Sequence, residues 1–81
     1  MYTWDFMSDQ QRELADNLPT GAITALQEFM TAACLDVWAL APAGSRNMPT
    51  CEFGAAKQGL VTFLIDEEHR ELLITQVIWF G

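Results

Sequence analysis

The chain has 81 residues, of which 51% are hydrophobic and 19% are charged. This composition excludes intrinsic disorder, which requires low hydrophobicity and high net charge, and the length predicts one domain over residues 1–81. No uncharged apolar run reaches the ~18 residues needed to cross a bilayer. The first residues include Asp5 but no Lys or Arg before Arg12, unlike the basic start of a secretory signal. We therefore expect a cytoplasmic domain without membrane association.

The charge balance is strongly acidic. Eleven Asp and Glu residues outnumber four Lys and Arg residues, which gives a net charge of −7. Nucleic-acid-binding proteins normally carry a basic surface, because neutralising phosphates dominates their affinity, so the chain as a whole repels a polyanion. Three of the four cations, Arg46, Lys57 and Arg70, follow residue 45 and leave room for a small local basic patch.

Cysteine and histidine are scarce. Cys34 and Cys51 are too few for a disulfide framework and too far apart for a CxxC motif, and the single His69 provides no zinc constellation. We therefore expect reduced thiols, no metal and no cofactor. Free Cys is among the most often buried residue types, which favours a core position for Cys34, whereas Cys51 lacks a neighbouring base that would make it a nucleophile.

The first third of the chain predicts a strand and a helix. Tyr2, Trp4 and Phe6 alternate with polar residues, which is typical of a short strand with an aromatic inner face. Ser8 begins the capping-box spacing Ser-Asp-Gln-Gln, so a first helix starts there, and Pro19 ends it.

Thr20 then has a residue type suited to cap a second, longer helix that continues to the break at Pro42. Its apolar stripe follows helical spacing and is widened by Phe29, Cys34 and Trp38, which we expect in the core. The stripe itself consists of Ile23, Leu26, Met30, Ala33 and Val37. The short link around Pro19 makes the two helices an antiparallel hairpin.

The last third of the chain predicts strands. A weak strand is expected at residues 50–53, followed by two strong strands at residues 60–65 and 72–80 around a polar hairpin loop. Strict alternation in the last strand places Leu72, Ile74 and Gln76 on one face and Val77 and Trp79 on the other. The fold class is therefore α+β, in the order β-α-α-β-β-β, with a helical hairpin packed on a small, mostly antiparallel sheet.

Three stretches of this sequence resemble a known family, the RelE/ParE toxin superfamily of bacterial toxin–antitoxin systems. Phe53-Gly54 and the run 58–68 resemble the family's glycine, strand and acidic turn, and residues 72–81 resemble its final strand. Upstream, Leu18-Pro19, Ala25-Leu26 and Phe29 resemble the break and second helix of its helical hairpin. The chain is therefore identified as a degenerate, acidic member of that superfamily.

The resemblance implies a toxin of a type II module, held inactive by a cognate antitoxin protein. RelE-like members cut messenger RNA on the ribosome without a metal, using Lys, Arg, His, Glu or Tyr side chains. ParE-like members instead bind DNA gyrase and need no such constellation. A homodimer is a further expected assembly.

The sequence departs from the nuclease pattern at its functional positions. Active members usually carry an Arg at the start of the penultimate strand, where this chain reads Leu60-Val61-Thr62, and its only Tyr is Tyr2. RNA cleavage needs a deprotonated 2′-hydroxyl, a stabilised phosphate charge and a protonated leaving oxygen. The sequence therefore predicts a protein-binding toxin-like component rather than a ribonuclease.

Two alternatives stay open. A metal-independent mRNA endoribonuclease would draw its catalytic groups from Arg46, Lys57, His69 and Arg70, although mixed charges at a hairpin tip are more simply a solvated surface. A small acidic interaction or inhibitor protein without a toxin role is the other alternative.

Partner-binding candidates lie at both ends of the chain. Trp79 and Phe80 are consecutive strand residues that point to opposite faces, so one of them is expected under a partner. The acidic face of the first helix, formed by Asp9, Glu13 and Asp16, is a solvated face or a docking surface for a basic partner segment.

Overall fold

A computed structural model describes all residues, 1–81, and places three helices and four strands along the chain. The elements are β1 (Thr3–Phe6), α1 (Asp9–Asp16), α2 (Thr20–Leu35), α3 (Val37–Leu40), β2 (Thr50–Phe53), β3 (Gly59–Asp66) and β4 (Glu71–Trp79). The strands form one sheet in the order β1-β4-β3-β2, with β1 parallel to β4 and the other pairs antiparallel. The predicted α+β class and mostly antiparallel sheet are confirmed. No helix combines the length and apolar character needed to cross a bilayer.

The predicted N-cap residue is confirmed for α1, where it is Ser8, and is wrong for α2, where Pro19 takes the place of Thr20. The Ser8 hydroxyl accepts a hydrogen bond from the Gln11 backbone N–H at 3.3 Å, as a helix N-cap should. Thr20 is instead the first residue of α2 and makes no capping bond. The Pro19 carbonyl accepts from the N–H groups of Ala22 and Ile23, so Pro19 occupies the cap position through its backbone.

The predicted long helix is broken at Asp36, whose φ of −159° and ψ of 78° lie outside the helical region. The break leaves α3 as a single turn. Val37 is fully buried, whereas Trp38 is 49% exposed. The predicted core position of Trp38 was therefore wrong. The Cys34 carbonyl just before the break accepts a hydrogen bond from the Tyr2 N–H at 2.9 Å, which fixes the start of β1 against the end of α2.

A bulge in β4 reverses the predicted alternation. Thr62 pairs with Gln76, but Phe63 pairs with Ile74, so Thr75 is one extra residue in β4. Its hydroxyl donates to the Thr62 carbonyl at 3.2 Å. As a result Val77 and Trp79 lie on the same face as Leu72 and Ile74, whereas strict alternation would have placed Gln76 there.

The core lies between α2 with α3 and one face of the sheet. Its largest fully buried side chains are Phe63, Met30, Leu72, Ile74, Val37 and Val61. The opposite sheet face is half-buried along β3 and changes from half-buried to exposed along β4, where Gln76 and Ile78 are exposed. This surface, which we call the open face, comprises Thr3 and Asp5 of β1, Thr50 and Glu52 of β2, Leu60, Thr62, Leu64 and Asp66 of β3, and Glu71, Leu73, Gln76 and Ile78 of β4.

Two phenylalanines with contrasting burial test this arrangement. Phe63→Ala removes a fully buried ring and should lower the free energy of unfolding by about 3–5 kcal/mol. Phe80→Ala removes a ring that is 69% exposed and should change it by less than about 0.5 kcal/mol. Urea denaturation followed by tryptophan fluorescence measures both variants, and equal losses would contradict the placement of the core.

Candidate functional site

Four side chains meet where the β3–β4 hairpin approaches β1 and α3; we call them the Glu67 cluster. The Tyr2 hydroxyl and the Trp38 indole N–H both donate to Oε1 of Glu67, at 2.5 and 3.1 Å. Nη1 of Arg70 lies 3.9 Å from Oε2 of Glu67, and its guanidinium stacks over the Tyr2 ring, 5.4 Å from the centroid. Glu67 therefore joins three segments that are far apart in sequence.

His69 lies beside this cluster in the same turn. Its Nδ1 is 2.9 Å from Oδ2 of Asp66, and its backbone N–H donates to Oδ1 at 3.2 Å. The imidazole is 65% exposed, so it is accessible from solvent. Arg70 has a φ of 54°, a left-handed conformation that closes the turn and directs the chain into β4.

Hydrogen bonds lower the pKa of two carboxyl groups in this turn, those of Asp66 and Glu67. The hydrogen bond from the His69 side chain is the main reason that the pKa of Asp66 is lowered. The hydrogen bond from Tyr2 is the main reason that the pKa of Glu67 is lowered. The hairpin end therefore presents these two carboxylates beside one accessible imidazole and one guanidinium.

Lys57 lies at the other end of the sheet. It occupies the β2–β3 turn with a φ of 58° and borders a cavity of about 460 Å³ with Phe29, Leu40 and Glu52 among its lining residues. β3 has eight residues, and at about 3.3 Å per residue its ends are ~23 Å apart. Lys57 therefore cannot act on the same phosphate as His69 or Arg70.

Arg46 is exposed in the loop between α3 and β2, and no ion pair involves it. The neighbouring Asn47 carbonyl accepts a hydrogen bond from the Ile65 N–H at 2.6 Å. Arg46 thus lies at the same end of the sheet as the hairpin, but on the β2 side. Arg70 contacts Tyr2, next to β1 at the other edge. Of the four catalytic candidates, Arg46, His69 and Arg70 therefore lie at the hairpin end of the sheet and Lys57 at the opposite end, and no hydrogen bond or ion pair joins any two of them.

Both cysteine side chains are buried. Cys34 and Cys51 are 8% and 5% exposed, and desolvation by burial raises the pKa of each thiol. The Sγ atom of Cys51 lies 3.7 Å from the Leu40 carbonyl oxygen. A raised pKa disfavours the nucleophilic thiolate, so both residues contribute packing rather than chemistry.

The predicted partner-binding residues lie on separate surfaces. Asp9, Glu13 and Asp16 are all exposed on α1. Trp79 is half-buried and packs on Phe53 with a centroid separation of 5.6 Å. Phe80 is exposed, so only the second of the two consecutive aromatics is free for a partner.

Sequence reasoning missed Tyr2, Trp38 and Glu67 as members of one cluster. Tyr2 and Glu67 are separated by 65 residues and Trp38 and Glu67 by 29. Tyr2 was expected in a strand and Trp38 in the core, and no local spacing connects either residue with the acidic turn. The hydroxyl of Tyr2 and the indole N–H of Trp38 were the available signal, because such groups usually find a hydrogen-bond partner when their rings pack inside the protein.

The Glu67 cluster predicts an acid-sensitive contribution to stability. The pKa of Glu67 is lowered in the folded state, mainly by the hydrogen bond from Tyr2, so this contribution is present at neutral pH and is lost as pH falls through the folded-state pKa. Glu67→Gln should lower the free energy of unfolding at pH 7. Below about pH 4.5, where the wild type loses the contribution of Glu67, the free energy of unfolding of the variant should fall less than that of the wild type.

Urea titrations at pH 7 and pH 3 measure both effects. Glu68→Gln is the matched control, because Glu68 is the adjacent exposed residue and makes no side-chain ion pair. An identical pH dependence in the wild type and in Glu67→Gln would show that the cluster does not contribute.

Comparisons with known proteins identify the fold. No protein-family model matches the chain, and no curated protein matches it significantly. The chain is similar to the crystal structure of the isolated E. coli RelE toxin, with a TM-score of 0.79 and 11% sequence identity. The match covers 100% of this chain and 86% of that one. The predicted resemblance is confirmed at the level of structure: the chain has a RelE-like fold.

Proposed function

We propose that this protein is the toxin-like component of a bacterial type II toxin–antitoxin module and that it acts by binding a protein. The observation that carries the proposal is the RelE-like fold over the whole chain, on a sheet whose open face bears no Lys or Arg. A cognate antitoxin is the expected neutralising partner. DNA gyrase is the expected type of target, because the members of the resembled family that bind gyrase need no catalytic constellation.

The charge distribution supports binding over RNA cleavage. Cleavage requires cations that converge on the phosphate as negative charge develops there. Lys57 and Arg70 lie at opposite ends of β3, and Arg70 is already close to Glu67. A net charge of −7 further opposes the approach of RNA.

A messenger RNA endonuclease is the second candidate, and the Glu67 cluster together with the neighbouring His69 is the observation that favours it. Tyr2, Glu67, His69 and Arg70 are residue types that the resembled nucleases use, and they occupy one end of the sheet. In this function His69 takes the proton of the attacking 2′-hydroxyl as general base and gives it to the leaving 5′-oxygen as general acid. Arg70 contacts the phosphate.

Growth during induced expression tests the proposal. Expression alone should arrest growth, and co-expression of the adjacent small gene should restore it. Purified protein should inhibit DNA supercoiling by gyrase without cleaving ribosome-bound RNA. Harmless expression at a verified protein level would contradict a toxin role.

Substitution of the cations separates the two candidates. The variant R46A/K57A/R70A should arrest growth as strongly as the wild type if the protein acts by binding. His69→Gln adds a matched test of the proton-transfer group. The endonuclease would be established instead by three observations together. Both variants would lose toxicity, both would keep the thermal stability of the wild type, and the RNA fragments would disappear together with toxicity.

A further inference from the structure

The open face combines an apolar centre with an acidic rim. Leu60 lies directly opposite Ile78, and Leu64 lies opposite Leu73. The three leucines are half-buried and Ile78 is 37% exposed. From Leu60 to Leu64 the apolar centre extends about 13 Å along β3. The four aliphatic side chains therefore form two cross-strand pairs in line along β3 and β4, with the polar pair of Thr62 and Gln76 between them; we call these four residues the aliphatic stripe.

Every carboxylate in the sheet belongs to this face. The four strands contain no Lys or Arg, and their Asp and Glu residues all lie at open-face positions. Glu52 is paired with Leu60, and Asp5 is paired with Leu73. The aliphatic stripe is thus flanked by negative charge on both sides.

One strand pair on this face breaks a general rule of sheet stability. Asp66 lies directly opposite Glu71, and like charges in that position destabilise a sheet. Asp66 is paired with His69, but no ion pair involves Glu52 or Glu71. Two carboxylates, one at each end of the stripe, are therefore available to an external cation.

The chain itself shows how a basic group fits this rim. Arg12 of α1 places Nη2 2.6 Å from Oδ1 of Asp5, while its guanidinium lies 5.9 Å from the Phe6 ring centroid. An arginine from an adjacent helix thus contacts a rim carboxylate. A basic helix on the open face would use the same kind of contact at Glu52 and Glu71.

We propose that the open face binds a basic amphipathic helix of a partner protein, with aliphatic side chains on Leu60, Leu64, Leu73 and Ile78 and Lys or Arg side chains on Glu52 and Glu71. Three helical turns cover about 16 Å, which matches the stripe. A second copy of this chain is disfavoured, because it would bring two rims of the same charge together at −7 per chain. This inference names the partner chemistry of the protein-binding role proposed above and is tested without reference to toxicity.

The probe is a helical peptide of about 14 residues, built from Lys and a Leu stripe at helical spacing. A second peptide of the same length, with Glu in place of every Lys, is the charge control. Isothermal titration should detect binding of the Lys peptide, weakened by added salt, and none of the Glu peptide. Amide shifts in ¹⁵N spectra should concentrate on β3 and β4. No binding of the Lys peptide at millimolar concentration, or equal binding of both peptides, would overturn the proposal.

Charge variants localise the contact. E52Q/E71Q should weaken binding about fivefold to tenfold, as expected for two exposed ion pairs. E13Q/D16N makes the same change in net charge on α1 and should leave the affinity unchanged. Equal weakening by the two variants, or weakening by E13Q/D16N alone, would overturn the proposal in favour of non-specific attraction or docking on α1.

Apolar variants complete the test. L60T/I78T removes half of the stripe with a strand-compatible residue and should abolish detectable peptide binding. L14Q/L35Q removes two leucines that are 57% and 67% exposed on helices and should bind as the wild type does. Dispersed ¹⁵N spectra confirm that each variant is folded. Retained binding by folded L60T/I78T would overturn the proposal.

Discussion

The single extra residue at Thr75 is the constraint on which both faces of the sheet depend. β4 carries apolar residues at Leu72 and Ile74 and again at Val77 and Trp79, two sets of opposite parity. A regular strand would place one set in solvent, because side chains alternate with period two. The bulge between the two sets turns both toward the helices, where Val77 and Trp79 pack against the core and Gln76 is excluded from it. The bulge therefore allows apolar residues in both halves of the nine-residue strand to face the core, fully buried at Leu72 and Ile74 and half-buried at Val77 and Trp79.

The same bulge determines what the open face presents. With the register shifted by one, Ile78 lies opposite Leu60 and Gln76 lies opposite Thr62. The hydroxyls of Thr50 and Thr62 are 2.7 Å apart, which satisfies their polar groups within the sheet. An aliphatic stripe with carboxylates at its edges results. RNA cleavage would instead need cations that converge on the phosphate, and the four strands of this sheet contain no Lys or Arg.

Local signals predicted much of the fold, and long-range contacts accounted for what they missed. The Ser8 cap, the break at Pro19 and the inward face of Tyr2, Trp4 and Phe6 depend on neighbouring residues, so they could be read from the sequence. The break at Asp36 is different, because it accommodates the burial of Val37 and the contact of Trp38 with Glu67, 29 residues away. The candidate site was harder still: His69 and Arg70 were recognised, but Tyr2 and Glu67 meet only through the parallel pairing of β1 with β4.

The surface charge of this protein constrains its choice of partner more than the shared fold does. The RelE-like arrangement is maintained here at 11% identity by burial of Phe63, Val61 and Leu72, which depends on size and hydrophobicity and leaves the open face free to vary. On that face aliphatic and acidic residues coexist, and its four strands contain no Lys or Arg. Since exposed charges control which partners approach and which are rejected, the acidic rim is the feature of this face that favours the basic partner proposed above.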